Sequence, residues 1–173
     1  MTSAGARLLG VLALVLAASV AAAQSPAIDS SGWKTLRDPT LGFEVKHPPH
    51  WYVNRSSGTL ESVFMGEPSQ AGKPTRRITF LVQKNINPSG LSIDQWYADQ
   101  MSRVKVSTPP PVKSTTLAGR PAMRREITTS SGKHFDFYTA VHRRDVFQVS
   151  IIQPAEPLDP TFEAVISTLR LLE

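Results

Sequence analysis

Between residues 115 and 152 the chain passes three times through an alternation of apolar and polar side chains, and each pass ends in a turn. Thr115 to Thr129 and Lys133 to Arg143 flank the turn residues Ser130-Ser131-Gly132, and Val146 to Ile152 follows a tight turn near Arg144-Asp145. A period of two sends successive side chains to opposite faces of a strand, and short connections oblige neighbouring strands to run antiparallel. A helix, with its period of 3.6, does not satisfy this pattern. The reading is a meander in which Phe135, Phe137, Thr139 and Val141 share one face and His134, Asp136, Tyr138 and His142 the other. The polar set is expected to face solvent.

Earlier segments add strands to this sheet. Trp33 to Leu36, Phe43 to His47, Ser62 to Met65 and Arg77 to Lys84 are expected in extended conformation, with Ile78, Phe80 and Val82 opposite Thr79, Leu81 and Gln83. Phe43, Val45 and His47 share a face. Pro48-Pro49 cannot donate to a ladder, so the strand stops there and Trp51 is expected to swing back over the core. Gly66 to Pro74 reads as a surface loop.

Two helices complete the pattern. After the turn residues Asn87-Pro88-Ser89-Gly90, Ser92 and Gln95 stand as a capping box, with Leu91 and Trp96 at the staple positions around it. Ile93, Trp96, Tyr97, Met101 and Val104 recur at helical spacing, and Thr108-Pro109-Pro110-Pro111 ends the segment as a stiff connector. Near the end of the sequence Asp159 suits an N-cap and Pro160 the first helical position. Phe162, Val165, Ile166, Leu169 and Leu172 extend the expected helix to residue 172. Strands interrupted by two such helices indicate an α+β domain, an α/β/α sandwich around a central, mainly antiparallel sheet.

The first residues belong to a different problem. Arg7, the apolar run Leu8 to Val20 and Ala21-Ala22-Ala23 before Gln24 have the order of a cleavable secretory signal, and the run is short for a membrane span. The expected organisation is a signal peptide over 1–23, a flexible lead over 24–31 and one domain over 32–173, exported to the periplasm or secreted, with no stable span after cleavage. Removing 23 of the 173 residues leaves 150 and lowers the net charge from +5 to +4. The chain has no cysteine, which excludes disulfides and thiolate metal sites and leaves packing alone to hold an exported domain. Basic side chains at Arg120, Arg124 and Arg125 and at His142, Arg143 and Arg144 lie among the acids Glu126, Asp136 and Asp145. Solvated faces are the plain reading, and attraction to an anionic partner is the alternative. Nucleic acid is not expected for an exported chain without basic-aromatic modules.

With these elements in order, two short motifs resemble the PsbP-like family. One is Gly42-Phe43, Val45, Pro48 and Trp51; the other is Leu117-Ala118-Gly119-Arg120-Pro121-Ala122. The family's fold is shared with the DcrB-like bacterial envelope proteins and a Ran-binding nuclear import factor. The resemblance spans about Trp33 to Leu172, and implies a sheet between helices with accessory, docking or assembly roles rather than a shared active site. Relatives generally carry Tyr or Phe where this chain has His47, so His47 is read as a substitution in or near the core.

Candidate chemistry is sparse. His47 and His50 flank two prolines at a separation awkward for one metal ion, and no carboxylate or thiolate nearby completes a ligand set. His134 and Asp136 could orient a general base, but no nucleophile elbow, H-E-x-x-H, P-loop or G-x-G-x-x-G occurs. No catalytic residue, metal or cofactor is therefore assigned. The leading expectation is a non-enzymatic accessory or assembly protein that binds a protein partner in the cell envelope, an anionic one on the alternative reading of its charge, through a surface of Arg124, His134, Asp136, Tyr138, His142, Arg143 and Arg144. A small-ligand module with a cleft between the sheet and the middle helix, near Trp96 and Tyr97, is the second reading. A hydrolase is the remote third.

Overall fold

The computed structural model describes residues 28–56, 60–68, 75–103, 111–154 and 157–173. The expected signal segment, the first part of the lead, residues 69–74 of the expected loop and the proline run up to 110 lie outside the described residues. The order of elements is β1 (Lys34–Asp38), β2 (Phe43–His47), β3 (Tyr52–Ser56), β4 (Ser62–Gly66), β5 (Arg77–Gln83), α1 (Ile93–Arg103), β6 (Lys113–Leu117), β7 (Arg120–Thr128), β8 (His134–His142), β9 (Asp145–Gln153), α2 (Pro160–Ser167) and β10 (Arg170–Leu171).

Seven strands form one sheet in the order β3-β4-β5-β9-β8-β7-β6, and three form a smaller sheet in the order β1-β2-β10. Every pairing is antiparallel. Register puts Ile78 beside Ile151, Phe80 beside Val149 and Val82 beside Phe147, so one face of the large sheet is a continuous apolar layer. The small sheet and α2 cover that face. Phe43 of β2 stacks on Phe80 with ring centroids 4.9 Å apart and meets Phe147 edge-on at 5.7 Å. Trp51 returns over the core as expected and packs against Phe162 of α2 at 5.2 Å. His47 is buried beside them, its Nδ1 2.9 Å from the Pro48 carbonyl. The opposite face of the large sheet carries α1, whose Ile93 and Trp96 pack on Val146. The result is the expected α+β arrangement with helices on both sides, although one outer layer is shared between α2 and the small sheet. No helix among the described residues is long and apolar enough to cross a membrane.

Local chemistry accounts for the elements. At α1 the Ser92 N–H donates to Gln95 Oε1 at 3.0 Å while the Gln95 N–H donates to Ser92 Oγ at 3.3 Å, the reciprocal box that satisfies otherwise orphaned donors. At α2 the Asp159 carboxylate accepts the Thr161 N–H at 2.7 Å, with Pro160 just inside the helix.

Four expectations need correction. Residues 115–129 are not one strand: Ala118 and Gly119 both have positive φ (51° and 73°), a two-residue turn that folds β6 back onto β7. Residues 52–56 form an additional strand, β3, at the edge of the large sheet. The last helix stops at Ser167 rather than running to 172, because the chain finds better partners in β2. Thr168 Oγ1 accepts the Lys46 N–H at 2.9 Å, Arg170 and Leu171 pair with Glu44 and Phe43, and the Leu172 N–H donates to the Gly42 carbonyl at 2.8 Å. Finally, the two faces of β8 are exchanged with respect to solvent. His134, Asp136 and Tyr138 are buried, and Phe135 and Phe137 are half-exposed.

Candidate functional site

The exchange on β8 follows from what covers each face. His134, Asp136 and Tyr138 lie in register with Gln153, Ile151 and Val149, the face that the small sheet and α2 pack against. Asp136 is fully buried, and it is there because β7 delivers a cation to it. Arg124 Nε donates to both Asp136 oxygens at 3.0 Å, and Nη2 donates to Oδ2 at 2.7 Å. The same guanidinium reaches Glu126 at 3.2 Å and lies over the Tyr138 ring, 5.3 Å from its centroid. Tyr138 donates its hydroxyl to Asp136 Oδ2 at 3.2 Å. A forked guanidinium matches a carboxylate geometrically, so the buried charge is compensated and hydrogen-bonded. Its bond to Asp136 raises the Arg124 pKa further, and burial together with the Asp136 carboxylate pushes the Tyr138 phenol well above its ordinary value of 10.0.

This network corrects the expected docking surface. Asp136 and Tyr138 are buried in a brace between strands that Arg124 closes from its rim, and His134, also buried, contacts Thr128 Oγ1 at 3.2 Å through Nδ1. The Asp136 oxygens accept from the Arg124 guanidinium and the Tyr138 hydroxyl. His142 sits at the far end of β8, in a pocket of about 290 Å³ bordered also by Arg37, Lys84 and Asp145. Its Nδ1 is buried and unpartnered, and burial with the nearby Arg120 and Arg143 lowers its pKa. Arg143 and Arg144 form the exposed β8–β9 turn, Arg143 with φ 59°. Of the seven surface residues expected, these two arginines are the exposed ones.

Trp96 and Tyr97 fare differently. Alongside the packed end of α1 lies a cleft of about 580 Å³ between helix and sheet. Trp96, Tyr97 and Met101 line it from the helix, and Leu81, Met123, Arg125 and Phe137 from the sheet. The Trp96 indole N–H and the Tyr97 hydroxyl are both buried without a hydrogen-bond partner. An unmet buried donor costs about 1–3 kcal/mol, so packing must outweigh that cost here. Tyr138 borders the cleft by its place on β8 but turns its hydroxyl away, to Asp136. Arg125 and Met123 were not singled out as cleft residues in sequence. The signal was present in the register, since Arg125 faces Phe137 and Met123 faces Thr139 on the face opposite Arg124.

No family model matches the chain, and no curated protein matches it. Among solved structures it is similar to cyanobacterial PsbP (CyanoP) from Synechocystis sp. PCC 6803, with a TM-score of 0.52 and 13% identity over 86% of this chain and 96% of that one. It is similar as well to a Bacteroides thetaiotaomicron VPI-5482 protein solved at 1.50 Å, with a TM-score of 0.53 and 14% identity over 76% of this chain. This chain spans 46% of the length of the Bacteroides protein. At such identities the likeness is one of fold, and the fold is PsbP-like.

Proposed function

We propose that the chain is an exported, non-enzymatic binding domain that holds a small apolar ligand in the cleft between α1 and the large sheet. One observation carries the reading: a cleft of about 580 Å³ lies within the range of small-molecule sites, with apolar and aromatic walls and a few polar groups. The two unmet donors of Trp96 and Tyr97 in its lining residues agree with this. Export rests on the N-terminal signal pattern alone. The direct test follows the methyl resonances of Met101 and Met123 and the Trp96 indole N–H during titration with 1-octanol. These signals should shift while Met65, buried in the opposite core layer, stays in place. Unchanged cleft resonances at saturating octanol would sink the reading.

A second reading, an accessory protein that docks on an acidic protein partner in the envelope, draws support from the exposed Arg143 and Arg144 at the β8–β9 turn. Its test is in-cell crosslinking of the wild type beside Arg143→Glu/Arg144→Glu. Arg124→Glu is unsuitable as a surface probe because it breaks the buried pair with Asp136. Identical crosslinks from the two proteins would remove this reading.

A further inference from the structure

We infer that the ligand of the cleft is an anionic amphiphile, a carboxylate with an apolar tail, and that Arg125 receives its head group. This rests on the cleft being a ligand site. The argument starts from how β7 distributes two adjacent arginines. Arg124 and Arg125 point to opposite faces of the strand, and the acids on the Arg124 face are taken: Asp136 and Glu126 both pair with Arg124, and Glu126 pairs with Lys113 as well. Arg125 is left on the cleft side with no ion pair among the described residues. Its guanidinium carbon stands 5.0 Å from the Phe137 ring centroid, so the ring holds the cation in place by a contact that leaves its N–H donors unspent.

The cleft itself repeats this imbalance. Among the described residues that line it, Arg125 is the one charged side chain, and the others are apolar, aromatic, hydroxyl or amide groups. The Gln83 and Gln148 amides already bond one another at 3.0 Å. A half-buried, unpaired cation at the edge of an apolar cleft discriminates by charge. It strengthens binding of an anion through charge-assisted, bidentate hydrogen bonds, does little for a neutral molecule and repels a cation. The methionines at positions 101 and 123 add walls that adapt to a flexible chain.

The experiment compares octanoate, 1-octanol and octylamine at one pH near 7, reading the Met101, Met123 and Trp96 resonances of the whole protein, for wild type and Arg125→Gln. Octanoate should bind the wild type about tenfold or more tightly than octanol, and octylamine weakest. Arg125→Gln should abolish the advantage of octanoate over octanol. Equal affinities for octanoate and octanol in the wild type overturn the inference even if the variant does not fold, and leave the cleft reading standing. An octanoate preference that survives in folded Arg125→Gln overturns the role of Arg125. Absence of any shift with all three probes overturns the cleft reading together with this one.

Discussion

Arg124 and Asp136 meet on the diagonal of the β7–β8 ladder, for Arg124 stands opposite Tyr138 and Asp136 opposite Glu126, yet three contacts of 2.7–3.0 Å join them. Diagonal neighbours lie farther apart than directly opposed ones, and only a long side chain spans the gap. The carboxylate is fully enclosed while the guanidinium side chain keeps 26% of its surface. The pair is thus a buried anion neutralised from the rim of the core.

Removing the cation should be costly for that reason. Arg124→Met leaves the Asp136 carboxylate buried and unpaired, and a loss of about 3–5 kcal/mol is expected in urea unfolding. The double variant Arg124→Met/Asp136→Leu should recover most of it, because the desolvated charge is gone. A loss below about 1 kcal/mol in the single variant would contradict the burial described above.

Tyr138 should make the domain sensitive to alkali. Its phenol is raised above the ordinary 10.0 by burial first and by Asp136 second, so the unfolded chain loses that proton before the folded one does. The stability it contributes is complete below pH 10 and declines as pH rises beyond it. Tyr138→Phe should flatten this part of the stability profile. At neutral pH the same variant should lose about 1 kcal/mol for the bond to Asp136.

His142 acts in the other direction. Its folded pKa lies below the ordinary 6.5, through burial, Arg120 and Arg143 in that order, so the unfolded chain takes up the proton first. Stability from the neutral imidazole is present above pH 6.5 and fades as pH falls below it. Imidazole resonances followed across pH should place the His142 midpoint below the ordinary 6.5, and His142→Gln should reduce the acid-side decline.

Gly66 supplies a test of packing. A Cβ built at this position stands on the Arg76 carbonyl, a backbone atom that no side-chain rotation relieves. Gly66→Ala should cost at least 1–3 kcal/mol and loosen the β4–β5 pairing. Exchange of the Arg77 amide, which faces Gly66 in the ladder, is the local readout.

How far such features were legible in sequence depends on whether their cause is local. The α1 capping box, the Asp159 cap and the return of Trp51 each arise within a few residues, and each stands where the sequence pattern puts it. Alternation on β8 states correctly that His134, Asp136 and Tyr138 share a face, but not which face is inside. That was decided by Arg124 on the neighbouring strand and by α2 beyond it, and register is a property of two strands. Helix α2 shows the same limit. The apolar spacing runs on through Leu169, which is buried, but the backbone beyond Thr168 is claimed by Lys46, Glu44 and Phe43, far away in sequence. The cleft was legible as the proximity of Trp96 and Tyr97 to the sheet, whereas the position of Arg125 in it became visible only once the β7–β8 register put Asp136 and Glu126 on the opposite face with Arg124.

The small sheet carries a consequence for how the chain is made. Strand β2 is flanked by β1 on one side and β10 on the other, and the Thr168 hydroxyl meets the Lys46 amide across 122 sequence positions. A ribosome delivers β1 and β2 long before residues 168–172. Until those residues arrive, β2 keeps an unpaired edge and the outer layer over the large sheet is incomplete. Closing so long a loop comes late in folding. The small sheet therefore reaches its finished form only after residues 168–172 have docked on β2, so the order of synthesis and the order of closure run in opposite senses for this layer.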